Sequence, residues 1–315
     1  MEYDKVLVTG GAGFIGSHTV EALLALDART LVLDDLSSGT LRNLSGLIHD
    51  PRLHFVRGSI MNFQRVRSLA SKVDAIIHLA AQISPFVSMT SPEATTLTNV
   101  NGTLNILRAA AKEHVQKVVF ASSSSVYGDV KSRYVSEKLP TNPITPYGAS
   151  KLAAEKYCGA FYRAYGVPTV SLRYFNVYGE RQSSNPYSGV IAIFAQTLTE
   201  NRPPIIFGDG NQTRDFVYVS DVARANVKAL RSKTGYGQAF NVGTGKPTTV
   251  KHLFDLLRQI THTRKEILPI FRKRRLGDIK YSCSDLTRTR SVLDFTPEVD
   301  LRTGLTRLVE SLSLK

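Results

Sequence analysis

Apolar residues recur along this chain in two rhythms, and the rhythms alternate. Short unbroken runs stand at Val6-Leu7-Val8, Thr30-Leu31-Val32-Leu33, Leu53-His54-Phe55-Val56, Ala75-Ile76-Ile77-His78-Leu79, Lys117-Val118-Val119-Phe120-Ala121 and Thr169-Val170-Ser171-Leu172-Arg173. Compact apolar runs of this length read as strands buried on both faces. Between them lie helical stretches at 14–24, 95–112 and 146–165, the last with proline at its entrance and Gly166-Val167-Pro168 at its exit. Strand–helix alternation predicts an α/β fold with a parallel sheet covered on both sides. Beyond Asn176 prolines and glycines, Pro186 among them, break the pattern into shorter pieces. A helix at 191–199 and strands at 215–219 and 239–242 are expected there, with the chain crossing between two parts. The expected division is 1–176 with a returning segment 214–249, and a smaller unit of 177–213 and 250–315.

The first strand–helix junction carries candidate chemistry. Gly11, Gly13 and Gly16 have the spacing G-x-G-x-x-G, with Gly10 beside them. Missing Cβ atoms allow the tight turn and let backbone N–H groups at a helix start approach a diphosphate. The second strand ends in Asp34, eighteen residues beyond Gly16, where a carboxylate accepts ribose hydroxyls and repels a 2′-phosphate. The sheet is therefore expected to be a doubly wound, Rossmann-type nucleotide binder that takes NAD rather than NADP. The smaller C-terminal α/β unit is expected to bind substrate.

Composition is ordinary for a globular chain of 315 residues, but charge is not: 40 Lys and Arg stand against 26 Asp and Glu, a net +14. Residues 250–315 hold 14 basic and 8 acidic residues, with the sharpest cluster at Arg272-Lys273-Arg274-Arg275. Such a balance suits an anionic ligand. Nucleic acid is the rival partner, but no aromatic–basic interleaving or recognisable module accompanies the charge, so none is expected. Cys158 and Cys283 form neither a disulfide framework nor a metal-ligand spacing, and no metal is expected. With the first strand five residues from Met1, no secretory segment is expected, and no apolar run is long enough to span a bilayer. A cytoplasmic protein with no membrane partner is expected.

Tyr147 and Lys151 are four apart and share a helix face. An ammonium beside a phenol is expected to lower its pKa, making Tyr147 a base for a hydroxyl proton while hydride leaves the same carbon. Tyr127 and Lys131 have the same spacing, but Gly128 and Val130 between them read as a loop. The run Ser122-Ser123-Ser124-Ser125 closes the fifth strand, at the edge where parallel sheets bind ligands.

Six segments together carry a family resemblance: Thr9-Gly-Gly-Ala-Gly-Phe-Ile-Gly16, His78-Leu-Ala-Ala81, Asn99-Val-Asn-Gly-Thr103, Ser122-Ser-Ser-Ser-Val-Tyr-Gly128, Tyr147-Gly-Ala-Ser-Lys151 and Arg173-Tyr-Phe-Asn-Val-Tyr-Gly179. With Gly208–Val219 and Arg275-Leu-Gly-Asp278, the chain resembles the extended short-chain dehydrogenase/reductase (NAD-dependent epimerase/dehydratase) family, and within it the nucleotide-sugar 4-epimerases. The resemblance implies Ser123, Tyr147 and Lys151 as catalytic residues. It implies cofactor contacts from Gly10, Gly13, Phe14, Ile15, Gly16, Asp34, Asp35, Ser38, Gly39, Ser59, Ile60, Leu79, Ala80, Ala81, Gln82, Asn99, Ser122, Tyr147, Lys151 and Tyr174. Substrate contacts are implied for Ser123, Ser124, Ser125, Tyr147, Asn176, Val190, Phe207, Arg214, Arg275, Asp278 and Ser282, with the two arginines on a diphosphate and Asp278 near the uridine ribose. A homodimer through helices near 95–112 and 147–165 is also implied. Two positions depart from the pattern: Ser59 stands where relatives often have Asp, and Asp35 where many have Asn.

The reaction implied is C4 epimerisation of a UDP-hexose through a transient 4-keto sugar that takes hydride back on its opposite face. UDP-glucose and UDP-galactose are the expected pair. A 4,6-dehydratase must also eliminate water, and such relatives carry Asp-Glu where this chain has Ser124 and Ser125; UDP-glucuronate decarboxylases carry Glu at the second of these positions. A non-catalytic binding protein on the same fold had no need to keep serine, tyrosine and lysine together. Ser282 resembles a gate position where tyrosine excludes C2 N-acetyl groups, so UDP-N-acetylglucosamine and UDP-N-acetylgalactosamine are expected to fit as well.

Overall fold

The computed structural model of the chain describes residues 3–183, 189–263, 266–274 and 279–313. Its strands are β1 (Lys5–Thr9), β2 (Arg29–Asp34), β3 (Leu53–Arg57), β4 (Ala75–His78), β5 (Lys117–Ser123), β6 (Thr169–Tyr174), β7 (Asn176–Tyr178), β8 (Ile205–Phe207), β9 (Thr213–Tyr218), β10 (Gln238–Val242), β11 (Pro247–Thr249) and β12 (Ile270–Arg272). Seven of them form one sheet in the order β10-β6-β5-β4-β1-β2-β3, every pairing parallel. The order reverses between β1 and β4, which opens a crevice at their carboxyl ends.

Alternation along each strand feeds two cores. Val6, Val8, Val119 and Ala121 join one cluster, which includes residues of the Phe14–Leu24 and Val219–Arg231 helices. Leu7, Val118 and Phe120 point the other way, into a cluster with the Gly102–Lys112 and Pro146–Tyr165 helices. Period-two geometry with both faces covered explains why these strands read as unbroken apolar runs.

The Pro146–Tyr165 helix has the bounds its sequence signals predict. Thr145 caps it by accepting the Gly148 N–H at 3.1 Å, proline fills its first turn, and Gly166 closes it at φ +70°. The expected 95–112 helix differs. Helix Pro92–Thr96 runs into a π-turn at Leu97–Asn101 before Gly102–Lys112 resumes α geometry.

The last third is also less simple than expected. β10 joins the large sheet beside β6, but β9 does not; it pairs with β7 and β11 in a three-stranded sheet, while β8 and β12 form a separate ribbon. Phe216 and Tyr218 of β9 enter a third core with the Val190–Thr199, Val250–Ile260 and Leu301–Ser313 helices. Val217 between them faces the first core. Among the described residues no helix is long and apolar enough to cross a membrane.

Candidate active site

The crevice between β1 and β4 is built by close backbone approach. Gly10 turns at φ +71°, and a Cβ there would lie 2.7 Å from the Ala80 nitrogen, in the loop that follows β4. A Cβ on Gly16 would collide with the Gly10 carbonyl. Gly13 N-caps the Phe14–Leu24 helix without a side-chain hydrogen bond, and Phe14, Ile15 and Gly16 form its first turn. An uncapped helix start at a sheet crevice presents N–H groups and a positive dipole end to an anion.

Asp34 closes the next side. Its Oδ2 accepts the Ala12 N–H at 2.9 Å and its Oδ1 the Leu36 N–H at 2.8 Å. Burial pushes this carboxyl above its ordinary range, and the two backbone donors pull the other way. Each oxygen has one backbone partner here, and a carboxylate oxygen accepts more than one donor. Asp35 is exposed and takes the Ser37 N–H; Ser38 is exposed, and Gly39 packs so tightly that a Cβ would lie 2.8 Å from the Ala12 carbonyl carbon. Ser59 Oγ accepts the Met61 N–H, and Ile60 is buried against Gly102.

Leu79 to Gln82 form the opposite wall. The Leu79 N–H donates to the Thr9 carbonyl and the Ala80 N–H to Thr9 Oγ1. Asn99 clamps the end of this segment, along which Ala81 precedes Gln82: its Oδ1 accepts the Gln82 N–H at 2.8 Å, and its Nδ2 donates to the Gln82 carbonyl and to Ser150 Oγ, both at 2.9 Å. Asn99 sits inside the π-turn, a local widening common where a helix serves a site. Gln82 Oε1 is buried with no hydrogen-bond partner, an acceptor left for a ligand to satisfy. The glycine cradle, the uncapped helix, Asp34 and this orphaned oxygen together fit a dinucleotide.

The candidate proton-handling groups, Ser123 and Tyr147, meet at the end of β5. A hydrogen bond links Ser123 to the Tyr147 phenol, and Ser123 Oγ also accepts from Ser125 Oγ at 2.9 Å and from the Ser125 N–H. Ser124 and Ser125 begin the short 3₁₀ turn to Tyr127, so the serine run is half strand and half turn. Lys151 is 3% exposed, its ammonium 4.4 Å from the centroid of the Phe120 ring. Burial pulls its pKa down to about 8, with Cys158 and Glu155 opposing. The expected lowering of the Tyr147 pKa does not occur in the protein alone. Burial pushes the phenol up, and Ser123 rather than Lys151 supplies the opposing pull.

Other residues take less direct places. Ser122 spends its hydroxyl on Glu155 Oε2 at 2.7 Å. Tyr174 lies opposite Ser123 in the β5–β6 register, but its hydroxyl donates inward to Asn226 Oδ1 at 2.5 Å. Asn176 bonds the Asp215 carbonyl at 3.3 Å. Val190 starts the Val190–Thr199 helix, Phe207 ends β8, and Arg214 on β9 donates to the Thr213 carbonyl. Ser282 is buried. Arg275, Asp278 and Pro186 lie outside the described residues. The second four-residue Tyr–Lys interval resolves too: Tyr127 stands in the 3₁₀ turn and Gly128 follows at φ +69°, so no helix aligns Tyr127 with Lys131.

Sequence reasoning missed Asp215. Fully buried, it accepts the N–H groups of Thr244, Gly245 and Ser284 and the hydroxyls of Thr244 and Ser284. It ties β9 to the turn after β10 and to the segment after Ser282. The signal was a lone carboxylate in a strand-like run, which demands buried donors.

Comparison with known proteins agrees with this geometry. Residues 6–243 match the family described as the NAD dependent epimerase/dehydratase family. A putative UDP-glucose 4-epimerase from Methanocaldococcus jannaschii is 43% identical over 306 residues, covering 96% of this chain and 97% of the relative. The structure of UDP-glucose 4-epimerase from Thermotoga maritima with UDP-glucose superposes with a TM-score of 0.92 at 39% identity, covering 99% of this chain and 100% of the other. That of UDP-N-acetylglucosamine 4-epimerase from Methanobrevibacter ruminantium in complex with UDP-N-acetylmuramic acid gives 0.94 at 34%, covering 100% and 99%. By sequence, by fold and by the arrangement of its crevice, this chain belongs to the NAD dependent epimerase/dehydratase family.

Proposed function

We propose that the chain is an isomerase that inverts C4 of UDP-hexoses, interconverting UDP-glucose and UDP-galactose and admitting the N-acetylated pair. The observation that carries the reading is the Ser123–Tyr147 hydrogen bond, with Lys151 buried one turn along the same helix and hydroxyls rather than carboxylates at 124 and 125. Dehydration needs a further acid and base, and serine serves poorly as either near neutral pH.

NAD, held by Gly10 to Gly16, Asp34 and the Leu79–Gln82 wall, supplies a reversible two-electron acceptor. The remaining work falls to side chains. Tyr147 takes the C4 hydroxyl proton as that carbon is oxidised, with Ser123 holding the same oxygen, and returns the proton after the hexose has turned. Lys151, positively charged below about pH 8, is the buried cation one turn along the same helix, and its part belongs to the loaded site, since in the protein alone Ser123 supplies the pull on the phenol. Inversion requires a firm nucleotide grip and loose sugar contacts. Arg214 and Arg275 suit the diphosphate, since a guanidinium matches it with two parallel donors.

We further propose a cytoplasmic homodimer that binds no nucleic acid. Ile83, Phe86, Met89, Leu97, Tyr157 and Tyr165 are exposed, and the Pro85–Thr90 helix and the π-turn pack against the Pro146–Tyr165 helix, which offers apolar side chains suited to a second copy. Buried, unpaired Cys158 and Cys283 fit a reducing compartment.

The test is proton NMR of the purified protein with UDP-galactose and, separately, UDP-N-acetylgalactosamine, each with and without added NAD⁺. Conversion to the C4 epimer is expected, and Tyr147→Phe should lose about 10²- to 10⁴-fold in rate. A 4-keto-6-deoxy product, or intact substrate throughout, would overturn the reading. Ser282→Tyr should suppress turnover of the acetylated sugar selectively; equal loss on both sugars would remove Ser282 as the gate.

A further inference from the structure

Behind the reacting groups a buried polar chain crosses the sheet, and the proposed reaction uses none of it directly. Ser122 Oγ donates to Glu155 Oε2 at 2.7 Å. Arg173 donates to the same oxygen through Nε at 2.9 Å, to Oε1 through Nη2 at 2.5 Å, and to the Tyr127 hydroxyl through Nη1 at 2.8 Å. Tyr127 in turn donates to Asn241 Oδ1 at 2.7 Å, and its ring centroid lies 4.7 Å from the Arg173 guanidinium carbon. Asn241 Nδ2 donates to the carbonyls of Val135 at 2.7 Å and Asp285 at 3.2 Å, and the Val135 N–H donates to the Cys283 carbonyl. Ser122, Glu155, Arg173, Tyr127 and Asn241 are all at most 7% exposed.

One end of this chain adjoins Ser123 and Lys151, and the other adjoins Ser282, the proposed gate. Ser122 precedes Ser123, and Glu155 lies one turn beyond Lys151 on the same helix. At the far end Cys283 follows Ser282. A buried ion pair is weak evidence for stability, because well-packed apolar residues often do as well. A fully satisfied polar network does something else: it rigidifies its surroundings and selects one arrangement of the elements it joins.

We propose that Tyr127 is a positioning residue for epimerisation, its hydroxyl coupling the Glu155–Arg173 pair that seats the Tyr147 helix to Asn241, which seats the segment carrying Ser282. The inference rests on the proposed function and extends it from the reacting atoms to the frame that spaces them. Proton transfer between Tyr147 and a sugar hydroxyl is sensitive to that spacing, since a misplacement of about 1 Å can reduce rate about 100-fold.

The experiment compares wild type, Tyr127→Phe, Asn241→Ala and the double variant, with kcat and KM measured on UDP-galactose and the folded fraction read by circular dichroism. Tyr127→Phe keeps the ring and removes only the link. Its kcat per folded molecule should fall about 10- to 100-fold while KM stays within about twofold. Asn241→Ala breaks the next link and should give a similar loss, and the double variant should be no worse than the poorer single, because both cut one chain. Wild-type kcat per folded molecule in the single variants, even with a lower melting temperature, would make the array structural only and overturn the proposal. Fully additive losses in the double variant would overturn it as well. If Tyr127→Phe does not fold, kcat in Asn241→Ala decides in the same terms. An inactive wild type would overturn the proposed function and this inference with it, whereas an active wild type with unaffected variants overturns the inference alone.

Discussion

Lys151 places activity and stability in opposition. Its ordinary pKa of 10.5 falls to about 8 in the folded protein, chiefly through burial. The folded state therefore binds fewer protons than the unfolded state between those values, so this group's contribution to stability is fully present above pH 10.5 and is lost as pH falls toward 8. The ammonium assigned a part in the proposed reaction is lost as pH rises through about 8. The rate should thus decline above about pH 8 while the melting temperature of wild type rises relative to Lys151→Met. A melting-temperature difference between the two that stays flat from pH 8 to 10.5 would show that Lys151 does not titrate there. Single residues also mark the limit of reading chemistry from spacing. The four-residue interval predicts that Tyr147 and Lys151 share a face, but not that the ammonium sits over the Phe120 ring, because that depends on a strand distant in sequence.

At the scale of elements, the glycine loop shows how little space separates a strand, a helix and a cofactor site. Gly16→Ala forces a Cβ against the Gly10 carbonyl, which is backbone and cannot swing aside. A loss of about 1–3 kcal/mol in stability is expected from such overpacking. NAD should then no longer raise the melting temperature, which thermal denaturation with and without the cofactor would check; an unchanged NAD-induced shift would count against the cradle. The strands of the large sheet are legible in the sequence because burial on both faces leaves apolar runs with little else in them. The Pro146–Tyr165 helix is legible because its cap, its proline and its terminal glycine act locally. The π-turn at Leu97–Asn101 is not, since its residues suit an α-helix equally well and the pull on Asn99 comes from Gln82 and Ser150. Nor does β9 reveal which sheet it joins, because a short run buried on both faces satisfies either. Arg173 inside an apolar strand and Glu155 one turn past Lys151 were visible separately, but nothing local to either announces the ion pair they make.

On the scale of the whole molecule, exposed Phe86 and Leu97 predict association. Wild type should elute as a dimer in light-scattering chromatography, and Phe86→Glu with Leu97→Glu should shift it to monomer; a wild-type monomer at working concentration would rule the surface out. Within one chain, the placement of β9 has its own consequence. Phe216 and Tyr218 belong to the core of the smaller layer, while Val217 belongs to the core under the large sheet. One three-residue stretch of backbone cannot melt out of one core and remain seated in the other. The large sheet and the smaller layer should therefore lose their structure in a single calorimetric transition, with the measured and van't Hoff enthalpies equal. A mutation that weakens either half should lower that one transition instead of splitting it.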